Sequence, residues 1–154
     1  MEKQTSEQEL LTIKRPCLVI SDLEQSLKLY QDILEFELIY RSEASPSSYL
    51  YSVFQIPQEA QVTFAAFSTP NESRALALVE VKGVELPSQP IPCHSALVIQ
   101  ISDLESRIAR IRELGLEAIE PNYFTTANNL KFVEQAFCDR DHHRIMLYQL
   151  IIDN

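Results

Sequence analysis

The pentapeptide Ile20-Ser21-Asp22-Leu23-Glu24 returns unchanged as Ile101-Ser102-Asp103-Leu104-Glu105, so a chain of 154 residues repeats itself after 81 of them. Each copy follows an apolar run, Cys17-Leu18-Val19-Ile20 and Val98-Ile99-Gln100-Ile101, and each opens a stretch with helical period. Leu23, Leu27, Tyr30 and Ile33 have the same relative spacing as Leu104, Ile108, Ile111 and Leu114. Ser21 with Glu24, and Ser102 with Glu105, read as capping boxes that satisfy the orphan N–H groups of a helix start. The helices are expected to stop at Glu35-Phe36 and at Gly115-Leu116, with Gly115 suited to a left-handed cap.

Segments rich in branched and aromatic residues follow: Phe36–Arg41, Gln61–Phe67 and Arg74–Val81 in the first half, then Leu116–Ile119, Val133–Cys138 and Arg144–Ile151 in the second. Each half therefore reads βαβββ. Pro87, Pro90 and Pro92 interrupt any strand or helix between them. The expected organisation is one domain over 1–154, with module one at 12–84, a linker at 86–93 and module two at 94–151. Neither sheet has a partner for both its faces, so two modules related by a pseudo-twofold axis would enclose a shared cavity in an α+β fold. Alternation turns Leu18 and Ile20 toward the first helix and Arg15, Cys17 and Val19 toward that cavity. In module two Leu97, Ile99 and Ile101 face the helix, and His94, Ala96, Val98 and Gln100 face inward.

Composition excludes several functions. Thirteen Lys and Arg against 22 Asp and Glu give a net charge of −9, which repels phosphate backbones and anionic membranes, so neither nucleic acid nor a membrane is expected as a partner. Only two glycines, Gly83 and Gly115, occur, too few for a Gly-rich phosphate loop or a nucleophile elbow. Cys17, Cys93 and Cys138 are odd in number and far apart, which suits reduced thiols and a cytoplasmic location. The opening MEKQTSEQEL has no apolar core of the kind a secretory signal carries. Asn71-Glu72-Ser73 is then a chance match to a glycosylation pattern.

Val19-Ile20-Ser21-Asp22-Leu23 with Ser26, Tyr30, Asp32 and Leu34 resembles the V-x-D-L-x-x-S-x-x-F-Y-x-D-x-L-G-F motif of the vicinal oxygen chelate superfamily, which includes glyoxalase I, extradiol dioxygenases, fosfomycin-resistance enzymes and bleomycin-resistance proteins. Ile101-Ser102-Asp103-Leu104 with Leu114-Gly115, and Phe137 through Leu147, is similar to the second copy and its closing F-x-D-P-D-G-N-x-I-E-L. The resemblance spans almost the whole chain and implies two βαβββ modules forming a glyoxalase-like open barrel around the shared cavity. It also implies a divalent metal on four side chains, two per module, whose places fall here on Arg15, Ala77, Ala96 and Met146. Arg is never deprotonated, Ala has no donor atom and a Met thioether suits soft metals, so no metal or other cofactor is expected. A slip of two along a strand would bring in His94 for Ala96 or Tyr148 for Met146, which adds only one good ligand, and Glu80 points to the opposite face. Further departures are Glu35 for the usual Gly after the first helix, and Arg140 and His142 for Pro and Gly in the last turn.

The candidate site residues each have a plain structural alternative. Arg15 would clamp an anionic ligand or pair with Glu134; His94 would donate to a ligand or simply start a strand. Cys17 would touch a ligand or pack as an inert thiol. Ala77, Ala96, Met146, Tyr148 and Tyr51 would shape the walls. The Pro46–Pro57 insertion carrying Tyr51 reads as a short helix capping one end of the sheet, or as an aromatic lid matched by a loop with Tyr123-Phe124. His142-His143 beside Asp139 and Asp141 reads as a solvated hairpin turn. The leading expectation is a metal-independent protein that binds a small, largely apolar organic molecule with an anionic or polar handle. A glyoxalase-type metal-dependent lyase or dioxygenase with shifted ligands is the alternative, and an interaction module using an arm at Ser6–Thr12 is a third. The modules would pair within one chain or between two copies in a homodimer.

Overall fold

The computed structural model describes residues 11–152. Module one runs β1 (Cys17–Ile20), α1 (Leu23–Tyr30), β2 (Glu37–Glu43), α2 (Leu50–Val53), β3 (Gln61–Ser68) and β4 (Leu76–Lys82). Module two runs β5 (Ala96–Gln100), α3 (Leu104–Glu113), β6 (Asn122–Thr125), β7 (Lys131–Cys138) and β8 (Arg144–Ile151). Each module is a four-stranded mixed sheet in matching order, β1-β4-β3-β2 and β5-β8-β7-β6, with the first strand parallel to the last. The architecture is α+β, as the repeat predicts. Among the described residues no helix is long and apolar enough to cross a membrane.

The helix side of both sheets is one continuous core. Ile20, Leu76 and Leu78 of module one and Phe137, Ile145 and Leu147 of module two are buried in the same cluster as Leu23 and Tyr30 of α1 and Ile108 and Ile111 of α3. The two modules therefore share one apolar core rather than burying two separate ones. Arg107 of α3 reinforces it by donating to the carbonyl oxygens of Ser102 and Ile33, and it pairs with Glu35. Arg110 donates to the Asp32 carbonyl.

The helix starts differ from the capping-box expectation. Asp22, not Ser21, caps α1 by accepting from Gln25 N, and Asp103 is left-handed with no side-chain cap bond. A longer-range cap replaces the local one in both modules. Leu23 N donates to the Glu80 carboxylate on β4, and Leu104 N donates to Gln149 Oε1 on β8. The last strand thus supplies the acceptor that each helix start needs. Helix ends differ too. Past Tyr30, bonds from Asp32 N to Leu27 O and Leu34 N to Leu29 O each span five residues and absorb one extra residue, so Glu35 takes the left-handed position (φ 65°) that Gly115 takes after α3 (φ 84°).

The second strand of module two lies later than expected. Leu116–Ile119 contributes only an isolated bridge, Ala118 with Phe137, because Pro121 breaks the run and pairing with β7 begins at Asn122. Tyr123 and Phe124 consequently sit in β6 rather than in a lid loop. The Pro46–Pro57 insertion holds α2, in line with the capping-helix reading.

The Asp139–His143 turn is the largest correction. It is no solvated hairpin: Asp139 is 3% and His143 7% exposed. Asp139 Oδ1 accepts the amides of Asp141 and His143, and Oδ2 accepts the Tyr30 hydroxyl of module one at 2.7 Å. His143 contacts the Val19 carbonyl through Nε2 at 2.6 Å and Gln89 of the linker through Nδ1 at 3.0 Å. A donor is required opposite a carbonyl, so Nε2 carries the proton and Nδ1 accepts from the Gln89 amide. The tight turn was legible, but its burial arises because module one covers it. His142 takes the left-handed corner (φ 66°) that suits glycine.

Burial pushes the Asp139 carboxyl above its ordinary 3.8, against the opposing Tyr30 bond, and burial followed by the Asp139 charge pushes the Tyr30 phenol well up. The folded chain therefore holds the Asp139 proton to higher pH than the unfolded chain does. This contribution to stability is complete below 3.8 and is lost as pH rises through the folded value. The stability of wild type relative to Asp139→Asn, from urea titrations, should accordingly fall as pH is raised from about 4; a rising or flat difference contradicts the assignment. Tyr30→Phe strands a buried carboxylate oxygen and should cost about 1–3 kcal/mol. At the α1 exit, Glu35→Gly should be more stable than Glu35→Ala by roughly 1 kcal/mol, since both lose the exposed Arg107 pair and only glycine relieves the left-handed strain; equal stability would contradict it.

Candidate functional site

The face of each sheet away from its helix carries the candidate residues. In module one Cys17 stands beside Ala77, and Val19 beside Val79, in register. The insertion covers this face: Tyr51, Ile56, Ala60, Val62, Val79 and Val81 are buried together, with Cys17 and Val19 packed against them. Tyr51 Oη donates to the Ala60 carbonyl at 3.0 Å, which closes the loop upon itself. Cys17 is half-buried, and burial pushes its thiol up while Arg15 partly offsets this, so it is a weak nucleophile. Arg15 Nε donates to the Arg74 carbonyl at 3.0 Å, whereas Glu134, its expected ion-pair alternative, accepts from Asn122.

Among the described residues no insertion covers the corresponding face of module two. Val98 is 51% exposed beside Met146, and Gln100 lies beside Tyr148, whose hydroxyl donates to it at 3.1 Å. Three aromatic rings cross the strands in a row. Phe124 stacks on Phe132 at 5.4 Å between centroids, and Phe132 meets Tyr148 at 5.8 Å. Ala96 and His94 are exposed at the start of this face. The structure thus gathers Cys17, Tyr51 and Ala77 on one module, and Ala96, Met146 and Tyr148 on the other. Among the described residues no hydrogen bond, ion pair or buried cluster joins the two groups.

The donor set does not fit a divalent metal of the kind the fold implies. Ala77 and Met146 occupy equivalent positions on β4 and β8, and neither offers oxygen or nitrogen. Glu80 faces α1, where it caps Leu23 N. Among the described residues no group of three or more His, Cys, Asp or Glu side chains converges to hold an ion.

Sequence reasoning missed a cleft of about 720 Å³ at the C-terminal end of β1. The insertion, the linker and the β7–β8 turn bound it, at Gln55, Pro87 and Asp141 for example. Of the predicted site residues none lines it. The buried Asp139 and His143 that seat its turn also went unread. One signal was available: a tyrosine on the core face of α1 needs an acceptor for its hydroxyl, and Asp139 is that acceptor. As for Ser6–Thr12, only Leu11 and Thr12 belong to the described residues, both exposed, and the rest of that arm lies outside them.

Solved structures share this architecture over nearly their whole length. A glyoxalase family protein from Bacillus cereus aligns with a TM-score of 0.73 at 13% identity, covering 96% of this chain and 99% of that one. A glyoxylase/bleomycin resistance protein/dioxygenase domain from Frankia sp. EAN1pec aligns at 0.64 and 15% identity, covering 94% and 96%. The fosfomycin resistance protein FosX from Listeria monocytogenes, solved with Mn(II) and 1S,2S-dihydroxypropylphosphonic acid, aligns at 0.55 and 18% identity, covering 90% and 89%. These likenesses establish the fold. Among curated proteins none matches the chain. The family model for the Glyoxalase/Bleomycin resistance protein/Dioxygenase superfamily matches residues 12–147, which includes both modules and the linker, and the chain belongs to that superfamily.

Proposed function

We propose that this chain is a metal-independent small-molecule-binding member of its superfamily, holding a largely apolar organic molecule with an anionic or polar handle. The observation that carries this reading is the pairing of an absent donor set with an uncovered aromatic face. Where a hard cation would need oxygen and nitrogen ligands, Arg15, Ala77, Ala96 and Met146 offer none to such an ion, while Phe124, Phe132 and Tyr148 present ring surface to a planar partner. Met146 and Ala96 leave apolar room beside them. Arg15 and His94 would orient the handle, Arg15 through its planar fork. Cys17 and Tyr51, which pack in one cluster, and the buried Ala77 beside Cys17 would form the floor of the module-one half.

Because the two groups of residues sit on different modules and no hydrogen bond, ion pair or buried cluster joins them among the described residues, a second copy that apposes its module-two face to module one is the arrangement that would unite them, and we include a homodimer in the proposal. The cysteines are all free thiols among the described residues, which suits a reducing, cytoplasmic setting.

A thermal-shift panel of planar aromatic carboxylic acids and their methyl esters tests the reading. A ligand at about a hundred times its Kd should raise Tm by roughly 5 °C or more, and Arg15→Gln should weaken acids but not esters. Met146→Lys should abolish both responses. No shift with any compound, or equal loss for acids and esters in Arg15→Gln, contradicts it.

A further inference from the structure

The 720 Å³ cleft at the end of β1 lies in the size range of small-molecule pockets and is separate from the residues invoked above. Its composition is two-sided. Val19, Phe54, Val81, Val84 and Leu86 form an apolar wall that continues the buried cluster of module one. Around it stand Glu85, Arg140, Asp141 and His142. Among the described residues neither the Glu85 carboxylate, the Arg140 guanidinium nor the His142 ring has a hydrogen-bond or ion-pair partner, though the Arg140 charge acts at longer range on Asp22. Asp141 is half satisfied: Oδ1 accepts the Ser21 amide at 3.1 Å, while Oδ2 is buried and receives no hydrogen.

The wall and the rim together select a chemistry. An apolar wall beside unpaired charges of both signs complements a molecule that carries an apolar body, a cation and an anion. We propose that this cleft is a second binding site, for a small apolar zwitterion of the amino-acid type. The ammonium lies between the Glu85 and Asp141 carboxylates. The carboxylate meets Arg140, whose fork matches its geometry, and His142 flanks it. The apolar body covers Val81, Val84 and Leu86. The turn that presents Arg140, Asp141 and His142 is seated by the buried Asp139 and His143, so these groups are held on a rigid support rather than on a loose loop.

The test uses three probes that differ only in their charges: L-phenylalanine, phenethylamine, which lacks the carboxylate, and phenylpropanoate, which lacks the amine. Each is titrated into methyl-labelled full-length protein and followed by NMR. L-Phenylalanine should saturate with shifts at the Val19, Val81, Val84 and Leu86 methyls, and each single-charge probe should bind about tenfold more weakly. Glu85→Gln and Arg140→Gln, both exposed positions whose change spares the core, should each weaken L-phenylalanine about tenfold. Arg15→Gln and Met146→Lys should leave it unchanged, so this site and the one proposed above fail separately. Binding of either single-charge probe as tight as that of L-phenylalanine would overturn the ligand class. Shifts confined to Val98 and Met146, or none at the four cleft residues, would overturn the site.

Discussion

One buried carboxylate holds the two halves of this protein in place. Asp139 organises the β7–β8 turn of module two through two backbone amides and reaches the Tyr30 hydroxyl on the helix of module one. His143, locked by the same carboxylate, touches the edge strand β1 and the linker. The apolar core beneath supplies the bulk of the driving force but is non-directional. The Asp139 cluster supplies direction, since buried polar groups are satisfied in only one apposition of the modules. Its carboxyl is pushed up by desolvation, a local cost that the surrounding core offsets.

The internal duplication has been kept where the fold needs it and lost where family chemistry would. Glu80 and Gln149 perform the same service at the same place in each module, capping a helix from the last strand. The equivalent places at which the resemblance would set one donor per module show no such constancy, with alanine on β4 and methionine on β8. The free faces have diverged as well. Module one folds its insertion over its own face and buries Tyr51, whereas module two leaves Val98 and a row of aromatic rings open.

Much of the fold was legible from local pattern. The repeated pentapeptide and the shared helical spacing located α1, α3 and the strands before them, and alternation assigned Leu18, Ile20, Leu97 and Ile99 correctly to the helix side. What local pattern could not give was any contact between distant segments. A Ser-x-x-Glu pattern points to a local cap, but the acceptor for Leu23 comes from Glu80, which only strand pairing brings near. Asp139 and His143 look like turn residues because they are turn residues, and their burial depends on where module one lies. Leu116–Ile119 has strand composition, yet Pro121 postpones pairing. The 720 Å³ cleft is assembled from insertion, linker and turn, three segments with no periodicity of their own. Alternation set Cys17 and Val19 on the face away from α1, where they pack against the insertion, but that the insertion would cover this face needed coordinates.

The central claim is that a scaffold shared with a protein solved in complex with Mn(II) lacks, in this chain, the donors a hard cation requires. Calorimetric titration of the purified, chelator-free protein with Mn(II), Ni(II) and Zn(II), alongside elemental analysis of protein never exposed to chelator, addresses it most directly. The account predicts no saturable heat and less than stoichiometric metal. One equivalent of a divalent ion, retained on purification and lost in a variant at Arg15, His94 or Met146, would contradict it.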